Sequence, residues 1–319
     1  MGQVLRFLAA ASLAALSAAA AAQYPSKPIR FIVPFPPGGA AELGARIFTQ
    51  PLAQELGQPV VVETKPGGDG IVAADAAKSA APDGYTLFYA TNTAFNWVPI
   101  TRKNPPYDPL ADFTPVSLVG YFGFFLFTHP SVPAKDVDEL VAYAKANPGK
   151  LNYGTGNSTS QLLGAQLKFL NQLDIVHVPY KGDGPLNVDL LGGRVQMAFA
   201  TPGAAVPHVK DGRLHCLAAM FPNRSPLLPG CPTAEEAGLG QMTLRPWGGV
   251  FGPAKMPKEI VARLEAALAK VLARQEVIDG LGKIAFQPKA STPDELTAFL
   301  KQQMEVWRAT ARQVGIEPE

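Results

Sequence analysis

The residues of this chain best suited to chemistry are those that expose backbone. Pro34-Phe35-Pro36-Pro37-Gly38-Gly39 follows the apolar run Ile29 to Val33 and leads into a helical pattern that begins Ala40-Ala41-Glu42. Glycines let a chain approach a ligand closely and prolines stiffen the turn. The first N–H groups of the following helix lack intrahelical partners and carry partial positive charge. The expected guest is an anion, a carboxylate first of all. A second loop, Thr155-Gly156-Asn157-Ser158-Thr159-Ser160, adds hydroxyls and an amide ahead of another helix. A dicarboxylate with one end at each helix N-terminus would satisfy both, each dipole contributing about 0.3–1 kcal/mol beyond its hydrogen bonds.

Catalytic constellations fit less well. Ser158 sits in Gly156-Asn157-Ser158-Thr159-Ser160, without the closing glycine of a G-x-S-x-G elbow. His129, His177, His208 and His215 lie in or beside apolar strands or helix ends, with no motif tying any of them to a serine. No H-x-x-x-H, C-x-x-C or D-x-D-x-D-G pattern suggests a metal, and G-x-G-x-x-G is absent. No catalytic residue, metal or cofactor is expected. Arg245, in Leu244-Arg245-Pro246-Trp247, is a candidate for bidentate contact with a carboxylate, against the alternative of a surface arginine lying past Trp247. Phe35, Phe95, Trp97, Phe122, Phe124 and Phe125 read as core. Two or three of them in a cleft would favour an aromatic carboxylate.

The elements that position these loops alternate strand and helix, which predicts α/β layers with mostly parallel sheets. A strand at 29–33 precedes a helix near 40–56, which Pro51 is expected to kink or split. Strands follow at 60–63 and 85–90, with a helix near 70–79 for which Asp69 is the expected N-cap. A second lobe starts after Val116 to Val119 and the apolar run from Phe122 to Phe127. It has helices near 135–146, 160–171 and 185–191 and strands at 175–178, 195–199 and 214–219. Beyond the extended run from Trp247 to Phe251, two helices are expected from Pro257 onward. The last opens with the capping box Thr292-Pro293-Asp294-Glu295 and carries the stripe Leu296, Leu300, Met304, Trp307, Ala311 and Val314. Both chain ends would then build the first lobe (residues 23–120 and 245–319), with the second (121–244) inserted. Two crossings between the lobes make a hinge and a cleft.

Charge and cysteines limit the function classes. Lys+Arg 28 against Asp+Glu 26 gives a formal net charge of +2, so no nucleic-acid surface is indicated. Arg6 followed by an Ala- and Leu-rich run up to Ala20-Ala21-Ala22 reads as a secretory leader cleaved after Ala22. The mature chain is expected to be a monomer that inserts in no membrane. Cys216 and Cys231 leave two structural readings open, a disulfide or two buried thiols.

Six motifs in order resemble the Bug family, the periplasmic receptors of tripartite tricarboxylate transporters. They are Pro34-Phe35-Pro36-Pro37-Gly38-Gly39, Ala81-Pro82-Asp83-Gly84-Tyr85-Thr86-Leu87, His129-Pro130-Ser131-Val132-Pro133-Ala134-Lys135, Val178-Pro179-Tyr180-Lys181-Gly182, Asp189-Leu190-Leu191-Gly192-Gly193-Arg194-Val195, and Leu214 after Pro207-His208-Val209-Lys210. The resemblance covers the mature chain. It implies a two-lobed periplasmic binding protein fold, type II-like, which closes on a small carboxylate and delivers it to membrane subunits of the transporter. The implied contacts are Phe35, Pro37, Gly38, Gly39, Ala40, Ala41 and Glu42 in the first loop and Thr155, Asn157, Ser158 and Thr159 in the second. Thr91, Asn92, Tyr180, Ala200 and Thr201 are further cleft positions. Many members have Thr-Asp where Ala41-Glu42 stands and Asp-Asn at Ala200-Thr201. The missing acid at Ala200 argues against an ammonium-bearing ligand, since a buried ammonium needs a paired charge. A ligand-sensing adaptor for a membrane sensor and a periplasmic serine hydrolase are the alternative functions.

Overall fold

A computed structural model describes residues 24–318 apart from 204, 222 and 243. The expected leader and its cleavage point after Ala22 lie outside the described residues. The opening apolar run forms β1 (Ile29–Val33), which pairs in parallel with β2 (Val60–Thr64) and β3 (Thr86–Thr91). Between them lie α1 (Ala40–Leu56) and α2 (Ile71–Lys78), the two helical crossovers that parallel pairing requires. A π-helical turn at Thr93–Trp97 and the short α3 (Val98–Thr101) follow β3. Then β4 (Phe113–Phe122) runs almost without a break into β5 (Phe125–Thr128) of the other sheet.

The second sheet repeats the plan of the first. After α4 (Val137–Ala146), β6 (Asn152–Thr155) pairs in parallel with β7 (Val176–Pro179) and β8 (Met197–Ala200). The helices α5 (Ser158–Asn171) and α6 (Asp183–Leu191) lie between them in sequence. After α7 (Val206–Lys210), β9 (His215–Ala219) closes the second sheet, and β10 (Trp247–Pro253) returns to the first. The last elements are α8 (Lys258–Leu272), α9 (Gln275–Gly282), β11 (Phe286–Pro288) and α10 (Pro293–Gln313). Strand order is β11-β4-β10-β3-β1-β2 in one sheet and β7-β6-β8-β5-β9 in the other. Each sheet therefore takes in one antiparallel strand just after the chain crosses over, β5 in the second and β10 in the first. This is a two-lobed α/β fold in which the carboxyl ends of the parallel strands open onto a shared cleft, the usual place for a ligand.

The crossings lie side by side. Phe122 N donates to Pro246 O at 2.9 Å, Met220 N to Phe124 O at 2.8 Å and Gly123 N to Ala285 O at 2.8 Å. A Cβ on Gly123 would overlap Phe221 and the Ala285 carbonyl, so glycine lets these strands pass. One apolar cluster runs through both lobes, and Trp247, Phe251, Phe88, Phe95, Leu296 and Leu300 fill the opposite face of the first sheet. The α10 stripe covers β4 and the π-turn and continues onto α5 of the other lobe. Trp307 is fully buried in it, and its truncation to alanine would cost about 3–5 kcal/mol.

Several expectations change. Pro51 does not split α1, which runs on through it, because Phe48, Thr49, Leu52 and Leu56 are buried on both sides of it. Each large apolar side chain so buried returns about 1.5–3 kcal/mol, which outweighs one lost backbone bond. Asp69 is not the N-cap of α2. That position is Gly70, and Asp69 itself adopts φ +58 in the preceding turn. Three helices follow Pro257 rather than two, since Gln275–Gly282 forms a separate amphipathic helix that buries Val277 and Leu281. The Thr292–Glu295 capping box forms as expected. Cys216 and Cys231 form a disulfide.

Candidate functional site

The first loop leaves helix N–H groups uncommitted. Gly38 takes φ +83, a conformation open to glycine, and Gly39 caps α1 with extended backbone and no side-chain bond. The helical ladder starts when Leu43 N donates to Gly39 O at 2.9 Å. The N–H groups ahead of it have no intrahelical acceptor and face the positive end of the helix dipole. Glu42 turns back into this loop. Its Oε2 accepts from Gly38 N at 3.1 Å and its Oε1 from Arg46 Nε, so the carboxylate braces the turn from behind.

The second loop is more heavily capped. Asn157 Oδ1 accepts from Ser160 N at 3.1 Å, and Ser160 Oγ accepts from Asn157 N at 3.2 Å and Gly156 N at 3.1 Å. Only the N–H groups of Ser158 and Thr159 remain uncommitted in that turn. Their hydroxyls are taken by the other lobe. Asn92 Nδ2 donates to Thr159 Oγ1 at 2.8 Å, and Thr93 Oγ1 and Ser158 Oγ share a bond of 2.8 Å. Asn92 Oδ1 also accepts from Trp247 N at 3.2 Å, which ties this contact to the returning strand.

A third loop, between β7 and α6, completes the wall. Asp183 Oδ2 accepts from Thr201 N at 3.2 Å and Thr201 Oγ1 at 2.6 Å, and Oδ1 accepts from Asn157 Nδ2 at 3.2 Å. Burial pushes the Asp183 carboxyl above its ordinary value, while the bonds from Thr201 and Asn157 pull the other way. Gly156 permits the arrangement, because a Cβ there would overlap Asp183 Oδ1 and the Gly182–Asp183 backbone.

These loops line a cleft of about 470 Å³ between the lobes. Eleven of the residues expected from sequence stand on its wall: Phe35, Pro37, Gly38, Gly39, Ala40, Ala41, Thr91, Asn92, Asn157, Thr159 and Thr201. Six lie off it. Glu42 braces its own loop, and Thr155 Oγ1 bonds His177 Nε2 at 2.7 Å. Ser158 faces Thr93, and Tyr180 OH donates to Asp189 Oδ2 at 2.9 Å. Ala200 is buried within β8. Arg245 is exposed, with its charge near the Tyr121 phenol, where it offsets part of the rise that burial causes. Sequence reasoning missed Asp183, Asn187 and Ile284 on the wall. An acid between glycines ahead of Pro185, at the carboxyl end of a strand, was the available signal for the first.

The wall is mixed in character. Phe35, Phe122, Phe124, Leu43 and Ile284 give it an apolar middle, and Lys181 is its one cation among the described residues. Thr91 Oγ1 and Asn187 Oδ1 are buried without hydrogen-bond partners among those residues. Ser158 has no histidine partner there, and no group of three His, Cys, Asp or Glu is placed to hold a metal among the described residues. No described helix is long and apolar enough to cross a membrane.

Known proteins share this architecture. Residues 45–316 match the model of the tripartite tricarboxylate transporter family receptor, TctC. The protein BugT of Bordetella pertussis is 34% identical over 312 residues, 97% of this chain and 95% of that one. Rpa4515 of R. palustris, solved with adipate, superposes with a TM-score of 0.86 at 30% identity, covering 93% of this chain and 100% of the other. MatC of Rhodopseudomonas palustris, with bound malate, gives 0.80 at 30% identity, covering 90% and 99%. Receptors of this kind are periplasmic solute-binding proteins and not enzymes. The chain belongs to the tripartite tricarboxylate transporter receptor family, among the Bug proteins.

Proposed function

We propose that this receptor captures a small organic acid in the interlobe cavity and delivers it, with the lobes closed, to the membrane subunits of a tripartite tricarboxylate transporter. The observation that carries the reading is the uncapped N-terminus of α1 at the wall of the interlobe cavity, where Gly39 supplies no side-chain bond. The Ala40 and Ala41 N–H groups hold the ligand carboxylate, with Gly38 and Gly39 allowing it close. Adipate and malate in the two related structures support a carboxylate as the guest. Phe35, Phe122 and Phe124 on the wall suit an apolar or aromatic body behind that carboxylate. Lobe 1 comprises residues 23–120 and 245–319 and lobe 2 residues 121–244, and the protein acts as a monomer.

A thermal-shift screen of aliphatic and aromatic mono-, di- and tricarboxylates on ligand-free protein tests this. A ligand at a hundred times its dissociation constant adds about 2.7 kcal/mol of stability. That corresponds to a melting rise of several degrees for a chain of this size. A panel that produces no shift contradicts the proposal.

A further inference from the structure

The apolar part of the cavity wall is built on the crossing between the two sheets. Phe122 ends β4 of the first sheet and Phe124 leads into β5 of the second, with Gly123 between them, and both phenylalanines stand on the wall. Their backbone is held from three sides, since Phe122 N donates to Pro246 O, Gly123 N to Ala285 O and Met220 N to Phe124 O. Ile284, next to Ala285, lines the wall as well. A guest that fills the cavity therefore rests on the crossing itself.

The rings there are ordered before any guest arrives. Phe122 is 8% and Phe124 4% exposed, so packing fixes both and each shows the cavity part of its ring. Phe286 meets the Phe122 ring edge-to-face at 4.8 Å between centroids, which sets its orientation. Phe35, half-buried, joins them on the wall from the loop that leads into α1. Three rings from separate segments thus border the space behind the α1 N-terminus. Side chains already held in place cost a guest little ordering entropy, and an aromatic guest gains from offset or edge-to-face contact beyond the area it buries. A saturated guest gains the area alone.

We propose that Phe35, Phe122 and Phe124 form a ring-recognising subsite, so that the preferred ligand is an aromatic carboxylate whose ring lies on the crossing. This rests on the carboxylate reading of the α1 loop and goes beyond it by naming the body attached. The adipate and malate of the two related structures are aliphatic, so the subsite sets this receptor apart from them.

Calorimetric titration of the full protein with benzoate, phenylacetate and phenylpropionate, each paired with its cyclohexyl counterpart, tests the proposal. In at least one pair the aromatic acid is expected to bind about two- to tenfold tighter, the range for an aromatic contact beyond its buried area. Phe124→Leu should bring that ratio close to one, with the saturated acid less affected than the aromatic one. Phe35→Leu, at a half-buried position, should lower the same ratio and decides the matter if the first variant does not fold. Saturated acids binding as tightly as aromatic ones in every pair, or a preference untouched by both variants, overturns the ring subsite while leaving carboxylate capture standing. Failure of both series in a protein that binds other aliphatic acids has the same meaning. Absence of binding by every acid overturns both readings.

Discussion

Ser158 offers a way to weigh lobe closure apart from ligand contact. Its Oγ lies 2.8 Å from Thr93 Oγ1, both residues are buried, and Ser158 is not on the cavity wall. Ser158→Ala removes one interlobe hydrogen bond without removing a ligand contact. A typical net hydrogen bond is worth about 0.5–1.5 kcal/mol, and a buried hydroxyl left unpaired raises the cost to about 1–3 kcal/mol. The bond joins the two lobes, so its loss falls on the closed form. A ligand that holds only that form loses affinity by the same factor, about five- to thirtyfold for 1–2 kcal/mol. Calorimetric titration of wild type, Ser158→Ala, Thr93→Val and the double variant with an acid found by the screen measures it. The double-mutant cycle is expected to give a coupling of about 1 kcal/mol, with the unfolding midpoint of ligand-free protein little changed. Additive effects, or unchanged affinity in Ser158→Ala, would refute the reasoning.

Other outcomes follow from the same contacts. His177 is held below its ordinary value of 6.5 by burial and then by the Lys168 charge. The unfolded chain therefore takes up that proton first, so this contribution to stability is full above 6.5 and is lost as pH falls from there toward the folded value. Urea midpoints across that range should show the loss in wild type and not in His177→Gln. Gly156→Ala should destabilise lobe 2 by about 1–3 kcal/mol and weaken ligand binding, because the added Cβ displaces Asp183, as melting and titration would show. Replacing Cys216 and Cys231 by alanine opens a link across a sequence separation of 15 and should cost about 3 kcal/mol in denaturant unfolding. Arg245→Ala should leave binding within twofold, since that side chain is exposed and away from the cavity.

The α1 loop was legible because glycine, proline and the onset of a helical stripe are all local signals. The Asn157 turn was legible for the same reason, as was the α10 capping box. Partners that depend on three-dimensional closure were not. Ser158 looked like a ligand contact because its loop is rich in hydroxyls, yet Thr93 reaches it from far away in sequence. Asp183 escaped notice because only the parallel pairing of β6 with β7 sets its loop against Gly156. Pro51 does not split α1 as propensity alone allows, because propensity is local, whereas the buried face of α1 that overrides it is a tertiary fact. The α/β alternation predicted two lobes, while the repeated strand order, with one swapped antiparallel strand in each sheet, required the structure.

The central claim is that α1 holds the ligand carboxylate through its first backbone N–H groups. A crystal structure of the protein with the tightest-binding acid of the screen tests it most directly. The account predicts a carboxylate oxygen within about 2.7–3.2 Å of the Ala40 or Ala41 nitrogen, with the rest of the molecule lying against Phe35, Phe122 and Phe124. A ligand whose carboxylate sits elsewhere in the cavity, or that binds outside it, would contradict the account.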